Sequence, residues 1–341
     1  MDEPLVTVIM AVYNTGPYLK DAIESILNQS YTHIEFIIIN SGSTDNSAQV
    51  IASYNDKRIR FINKTSNEKW LENINQALKE AKGNYIARMD HDDISLKDRL
   101  RKQIDFLNLH PEIGMCGTWM RTFGEGSSKV FKYPLTPEEC KVHLLFNIPI
   151  LHPSLVLRKA LVEKYGIKYK QEFFPADDME LLAVNSDQIK YANIPEVLFH
   201  YRVHEKQASN TMSEVHDKLK LKVQLIMLRK ILPDNTSDEI DLFWKISFNH
   251  FDYTTEFLKR CETLLKKITG NNKVMKVFDQ EALEDKIQQV WFSLCTDLAS
   301  HKVYTFKIFS TSTLIKVLHF NMAYIRFYIK NFLILIKVFN R

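Results

Sequence analysis

Ala81-Lys82-Gly83-Asn84-Tyr85-Ile86-Ala87-Arg88-Met89-Asp90-His91-Asp92-Asp93 is the stretch on which the reading of this chain turns. Tyr85–Met89 is a short run of strand-forming residues, and three carboxylates follow it at once. Ser95, with Asp98 three residues on, reads as a capping pair opening a helix to Leu109. In open α/β sheets, ligands bind beyond the carboxyl ends of the strands. Three carboxylates crowded there repel one another unless a cation neutralises them. Hard oxygen ligands select Mg²⁺ or Mn²⁺, and such ions share their coordination between one or two carboxylates and substrate phosphates. The plain alternative is a solvated acidic turn, since a lone DxD is a weak motif.

The flanking sequence supports a layered α/β domain. Val6–Val12, Ile34–Ile39, Ile59–Ile62, Tyr85–Met89 and Ile113–Trp119 read as strands. Pro17–Gln29, Asp45–Tyr54, Leu71–Lys82 and Ser95–Leu109 read as the helices between them. Several strands are apolar on both faces, as in a sheet covered by helices on both sides. Pro17 suits a first helical position, and Gly83 reads as the stop of the preceding helix. The pattern loosens from Thr118 to about Arg202. It turns helical from Ser213 to about Ser300, with periodic stretches at Val215–Leu232 and Leu283–Leu298.

Bulk properties narrow the class. The 341 residues are 45% apolar and 25% charged, which excludes wholesale disorder. A net charge of +4 is too mild to imply nucleic acid. Cys116, Cys140, Cys261 and Cys295 lack CxxC spacing and read as reduced thiols, and the amino terminus lacks the basic region of a signal peptide. The apolar run Asn331–Val338 is broken by Lys337, whereas a spanning helix needs about 20 apolar residues. A cytoplasmic protein is expected.

Several motifs in consistent order over roughly residues 5–210 resemble the family 2 glycosyltransferases. They are Val8-Ile9-Met10-Ala11-Val12-Tyr13-Asn14, Asn40-Ser41-Gly42-Ser43-Thr44-Asp45, the acidic stretch quoted above, and His152-Pro153-Ser154. The resemblance implies a GT-A fold: a Rossmann-like mixed sheet with helices on both faces, here followed by a mostly helical C-terminal region. It implies a catalytic domain over 1–212, with a nucleotide-binding half to about 120 and an acceptor half over 121–212. A helical accessory region over 213–300 and a basic tail over 301–341 follow. The implied activity is inverting sugar transfer from a nucleotide-sugar, first guess UDP-linked. The acceptor is a glycan or lipid-linked acceptor, in cell-surface polysaccharide synthesis, and the enzyme a hexosyl- or N-acetylhexosaminyltransferase. On the same match Ala11, Tyr13, Asn14, Ser41, Asp90 and Asp92 hold the nucleotide, and Asp92, Asp93 and His204 the Mn²⁺ or Mg²⁺. Asp178 is the general base, and His152, Asp177 and Arg202 lie near acceptor or diphosphate. Ser41 stands where the family has Asp, leaving the base identity open, and Asp177 replaces a Glu. Lys69 stands where relatives carry Gly; a surface position suits it better than a phosphate contact.

On a helical wheel Lys316, His319, Arg326, Lys330, Lys337 and Arg341 fall within roughly 80° of one another, beside a broad apolar face. That is the form of an interfacial helix on an anionic membrane, placing the protein peripherally on its cytoplasmic face through 314–341. A terminal helix packed on the helical region or on a second protomer is the alternative. Two other functions stay open: a nucleotidyltransferase, although its Gly-rich phosphate loop is not visible at Ala11–Gly16, and a catalytically silent glycan-binding relative. A hydride-transfer enzyme is disfavoured, since no GxGxxG follows any predicted strand.

Overall fold

The computed structural model describes residues 3–65, 70–205, 207, 211–315 and 322–339. Lys69 lies outside them, as do Lys316, His319 and Arg341, and the Lys337 side chain. The strands are β1 (Val6–Val12), β2 (Ile34–Ser41), β3 (Ile59–Lys64), β4 (Tyr85–Met89), β5 (Ile94–Ser95), β6 (Ile113–Gly124), β7 (Val130–Phe131), β8 (Val156–Arg158) and β9 (Lys190–Val203). The helices are α1 (Leu19–Leu27), α2 (Ser47–Ala52), α3 (Trp70–Glu80), α4 (Arg99–Leu109), α5 (Pro137–His143), α6 (Lys159–Tyr165) and α7 (Asp177–Asn185). Then come α8 (Ser213–Ile231), α9 (Ser237–Phe248), α10 (Thr255–Met275), α11 (Gln280–Ser300), α12 (Phe306–Thr311) and α13 (Met322–Phe339).

The strands form one mixed sheet in the order β3-β2-β1-β4-β8-β6-β9-β5, with β7 paired to β6. β1, β2, β3 and β4 are mutually parallel, and β8 pairs antiparallel with both β4 and β6. All seven residues of β1 are buried because helices cover both of its faces. Val6, Val8, Met10 and Val12 share one core with Leu19, Ile23 and Ile26 of α1 and with Leu100, Ile104 and Leu107 of α4. α3 packs against β1 and β2 as well, burying Leu71, Ile74, Ala77 and Leu78. Each such fully buried aliphatic side chain contributes about 1.5–3 kcal/mol.

Two local expectations are corrected. Ser95 is not a helix cap. It lies in β5, and its hydroxyl accepts from Arg99 Nε at 2.7 Å and from Gln29 Nε2 at 3.1 Å, so α4 starts only at Arg99. Gly83 does not end a helix either, for α3 stops at Glu80. Its N–H donates to Thr7 Oγ1 at 2.9 Å, and an added Cβ would lie 2.5 Å from the Thr7 backbone nitrogen. Glycine is there because β1 passes too close for a side chain.

The chain divides into two compact units, Met1–Leu144 with Ile148–Val223, and Leu145–Asn147 with Gln224–Arg341. The sheet belongs to the first. In the second, Gln224 Nε2 donates to Phe146 O at 2.7 Å and the Phe146 ring meets Phe243, which is why a three-residue segment groups with the later helices. No helix among the described residues is long and apolar enough to cross a membrane.

Substituting Gly83→Val should lower unfolding stability by about 1–3 kcal/mol, the usual range for forcing atoms into a close-packed site. Urea denaturation against the wild type measures it, and an unchanged midpoint would contradict the close approach.

Candidate active site

The carboxyl ends of β1, β2 and β4 lie side by side, and each hands the chain to a polar loop. After β1 the backbone turns at Asn14, whose φ of 48° is a conformation asparagine tolerates better than most residues. Asn14 Oδ1 accepts from Thr44 N–H at 2.8 Å, and Asn14 N–H donates to Ser43 Oγ at 3.1 Å. Asp45 completes the seam, its carboxylate accepting from Gly16 N–H and Ser47 N–H, both at 3.0 Å. These hydrogen bonds hold its pKa below the usual range. The loops after β1 and β2 are thus fastened together, and Tyr13 stands beside them with 38% of its surface exposed. Ala11 and Ser41 are buried. The Ser41 hydroxyl accepts from Asn73 Nδ2 of α3 at 3.2 Å, so an amide occupies the neighbourhood of the missing carboxylate.

At the end of β4 the side chains divide between two directions. Arg88 is 2% exposed; its guanidinium donates to Ile9 O at 3.1 Å and to Asp90 Oδ1 at 3.3 Å. Surrounding protein raises the Asp90 pKa, and the charge of Arg88 opposes that rise. His91 Nδ1 sits 3.0 Å from Ala11 O, and its ring meets Trp70 edge-on. Asp92 Oδ2 and His204 Nε2 face each other at 2.9 Å, joining the acidic loop to the end of β9.

Asp93, expected beside a metal, turns inward instead. It is 1% exposed, and its Oδ1 accepts from Arg202 N–H at 2.7 Å. Burial and the adjacent carboxylates drive its pKa well above the ordinary range. Arg202 is also committed away from a phosphate. Its Nε donates to Asp92 O at 2.7 Å, a terminal nitrogen donates to Asp21 at 3.2 Å, and its guanidinium lies 4.5 Å from the Tyr18 and Phe123 ring centres. Arg202 and Asp93 clamp the acidic loop against β9.

The remaining groups arrive from the segment between β6 and β9. Asp177 and Asp178 open α7, where the helix dipole favours negative charge. Burial nonetheless pushes Asp178 up to about 6, and burial together with Asp178 pushes Asp177 up to about 8. Burial thus raises both carboxyls, and the neighbouring charge of Asp178 raises Asp177 further, so Asp178 is the readier of the two to ionise. Asp178 Oδ1 accepts from Met179 N–H at 2.6 Å. His152 Nε2 lies 2.6 Å from the Tyr169 hydroxyl, and burial beside Arg88 keeps the imidazole neutral. Asn75 of α3 grips the Tyr169 backbone by two hydrogen bonds of 2.8 Å. The charge of Arg88 acts on His152, Tyr169 and Asp177, and that of Asp90 on Tyr169, Asp177 and Asp178. The fold therefore brings the acidic loop, the His-Pro-Ser loop and the start of α7 around one space. Sequence reasoning missed Arg88, Tyr169 and Asn75. An arginine inside the short strand Tyr85–Met89 was the one visible signal among them.

No group of three His, Cys, Asp or Glu side chains among the described residues is placed to hold a metal. The two facing donors, Asp92 and His204, fit a cation that takes its other ligands from phosphate and water.

The profile of the family described as "Glycosyl transferase family 2" matches residues 7–166. The O-antigen biosynthesis glycosyltransferase WbnJ of Escherichia coli is 32% identical over 216 residues, spanning 61% of this chain and 83% of that protein. The chain belongs to glycosyltransferase family 2. Its fold is that of the GT-A glycosyltransferase TarS of S. aureus, solved in complex with UDP-GlcNAc. There the TM-score is 0.57 at 17% identity, over 84% of each chain. The mannosyltransferase PcManGT of Pyrobaculum calidifontis, solved with GDP-Man and Mn²⁺, gives a TM-score of 0.52 at 16% identity over 97% of this chain and 88% of that one. This family 2 glycosyltransferase thus carries its acidic loop at the strand ends of a GT-A sheet.

Asp177 also makes a stability prediction. Its folded pKa of about 8 lies above the ordinary 3.8, so folding takes up a proton between those values. Stability is then fully present below about pH 4 and is lost as pH rises to about 8. Asp177→Asn should melt several degrees higher than wild type at pH 8, and the difference should vanish near pH 4. Equal melting temperatures at both pH values would contradict the shift.

Proposed function

We propose that the protein transfers a hexosyl or N-acetylhexosaminyl group from a UDP-sugar to a glycan or lipid-linked acceptor, with inversion. What supports this reading is the placement of Asp177 and Asp178 at the start of α7, near Arg88 and Asp90, with burial raising both carboxyls. An inverting transfer is a single in-line displacement, and a carboxylate must take the proton of the attacking hydroxyl. Asp178 serves as that base. Asp177, neutral, donates a hydrogen bond without adding repulsion. Tyr13 offers a ring face to the nucleobase, Ala11, Asn14 and Ser41 line its pocket, and Asp90 receives the ribose.

Asp92 and His204 would hold Mn²⁺ or Mg²⁺. Bound there, the ion supplies charge neutralisation to the leaving group. His152, neutral and fixed by Tyr169, orients the acceptor side. The UDP-GlcNAc bound to TarS and the Mn²⁺ bound to PcManGT support a nucleotide-sugar and a divalent ion for this chain. The O-antigen role in the name of the E. coli relative supports polysaccharide synthesis. The protein acts on the cytoplasmic face of a membrane, where a lipid-linked acceptor is reached from a peripheral position. As domains, residues 1–212 perform catalysis, 213–300 are accessory and 301–341 form the tail.

Asp178→Asn should reduce turnover by about 10²–10⁴-fold while UDP binding, measured by calorimetry with Mn²⁺, stays near wild type. Wild-type kcat/KM should fall as pH drops through about 6, because the base must be ionised. A variant that loses UDP binding together with turnover would remove Asp178 from the base role. Asp92→Ala should weaken UDP binding in the presence of Mn²⁺ and leave metal-free binding unaltered. Equal loss under both conditions would place Asp92 elsewhere.

A further inference from the structure

In the second compact unit, the terminal helix α13 carries two apolar faces instead of one. Tyr324, Phe327 and Asn331 turn inward and are buried. Tyr324 stacks on Phe292 of α11 with ring centres 4.0 Å apart. Asn331 Oδ1 accepts from the N–H groups of Thr305 and Phe306, both at 2.9 Å, which fixes the helix to the start of α12. The opposite face should then be polar. It holds Met322, Ile325, Ile329, Phe332, Leu333 and Ile336, all exposed, with Phe332 and Met322 each at 62%. At about 100° per residue these six occupy an arc of roughly 100°, and Arg326 and Lys330 fall on its shoulder.

Beside this face lies a cavity of about 660 Å³. It is lined mainly by Phe306, Phe309, Ile315, Tyr328, Phe332 and Leu335. Its size is that of a small-molecule site, roughly 300–1,000 Å³. Phe332 belongs to both features, so the cavity borders the exposed arc.

Charge selects the occupant. After Asp297 the chain has no acidic residue and seven lysines and arginines. A hydrophobic arc with cations at its edge suits the boundary between headgroups and acyl chains of an anionic bilayer. A second copy of the same face would bring like charges together. We propose that this unit is a lipid site, in which α13 lies in an anionic membrane surface and the cavity takes one acyl chain. The cavity assignment rests on the peripheral-membrane reading above and adds a specific chain-binding site to it.

Two measurements separate the cavity from that reading. In co-sedimentation, the full chain should pellet with phosphatidylglycerol vesicles and far less with phosphatidylcholine vesicles. Arg326→Glu should weaken pelleting by about fivefold or more, and Phe332→Glu with Ile329→Glu by more still. Separately, cis-parinaric acid should bind saturably, with a rise in fluorescence that Leu335→Trp abolishes by filling the cavity. Ser310→Trp, at an exposed cavity wall, gives the same test if Leu335→Trp fails to fold. Vesicle binding with no saturable probe, or with probe binding unchanged in a folded cavity-filling variant, overturns the chain site and leaves the peripheral reading in place. Probe binding without vesicle binding overturns the membrane surface. A dimer in sedimentation velocity that Phe332→Glu dissociates, with no vesicle binding, makes the arc a protein interface and overturns the proposal.

Discussion

A guanidinium buried in a central strand requires negative charge and carbonyl oxygens within its reach. Arg88 supplies that demand at the end of β4, and much of the site is arranged around it. Its hydrogen bond to Ile9 O ties β4 to β1, and its contact with Asp90 fixes the first carboxylate of the acidic loop. The same charge adds to burial in lowering the pKa of His152 and works against the protonation of Asp90 and Asp177. Burying such a charge is costly unless it is paired. The cost is met at the strand ends by Ile9 O and the carboxylate of Asp90.

The acidic loop shows how neighbouring residues of one type acquire different duties. Asp92 meets His204 directly at 2.9 Å, whereas Asp93 is buried under Arg202. The buried Asp93 carboxyl, accepting a backbone N–H from β9, is a joint between the acidic loop and a strand far away in sequence. Arg202 strengthens the joint through Asp21 and the rings of Tyr18 and Phe123. Asp92 and Asp93 are adjacent in the chain, and their side chains leave the loop in different directions.

Much of the architecture was legible because it depends on periodicity. Strands apolar on both faces announced a helix-covered sheet, and the carboxylates after Met89 marked the carboxyl end of β4. The extents of elements were less legible. Ser95 and Asp98 have the spacing of a cap, but Arg99 and Gln29 claim the Ser95 hydroxyl, and both are recruited through tertiary packing. Gly83 has the form of a helix stop, yet the reason for it is the passage of β1, invisible without the pairing. The inward turn of Asp93 was equally hidden, since its partner lies more than a hundred residues away. Tertiary contacts such as Tyr169 with His152 and Asn75 with Tyr169 likewise leave no local trace.

The lock at Asn331 has a consequence for how the end of this chain behaves. A single amide oxygen there satisfies two backbone donors at the mouth of α12, while its nitrogen donates to Phe327 O within α13. Removing the last helix would therefore leave those donors without their acceptor and strip Phe292 and Phe309 of their covering rings. A shortened chain would report on the integrity of the helical unit before it reported on anything the helix touches outside. α13 is a keystone of its unit, and only changes confined to its outward side chains separate what it supports from what it meets.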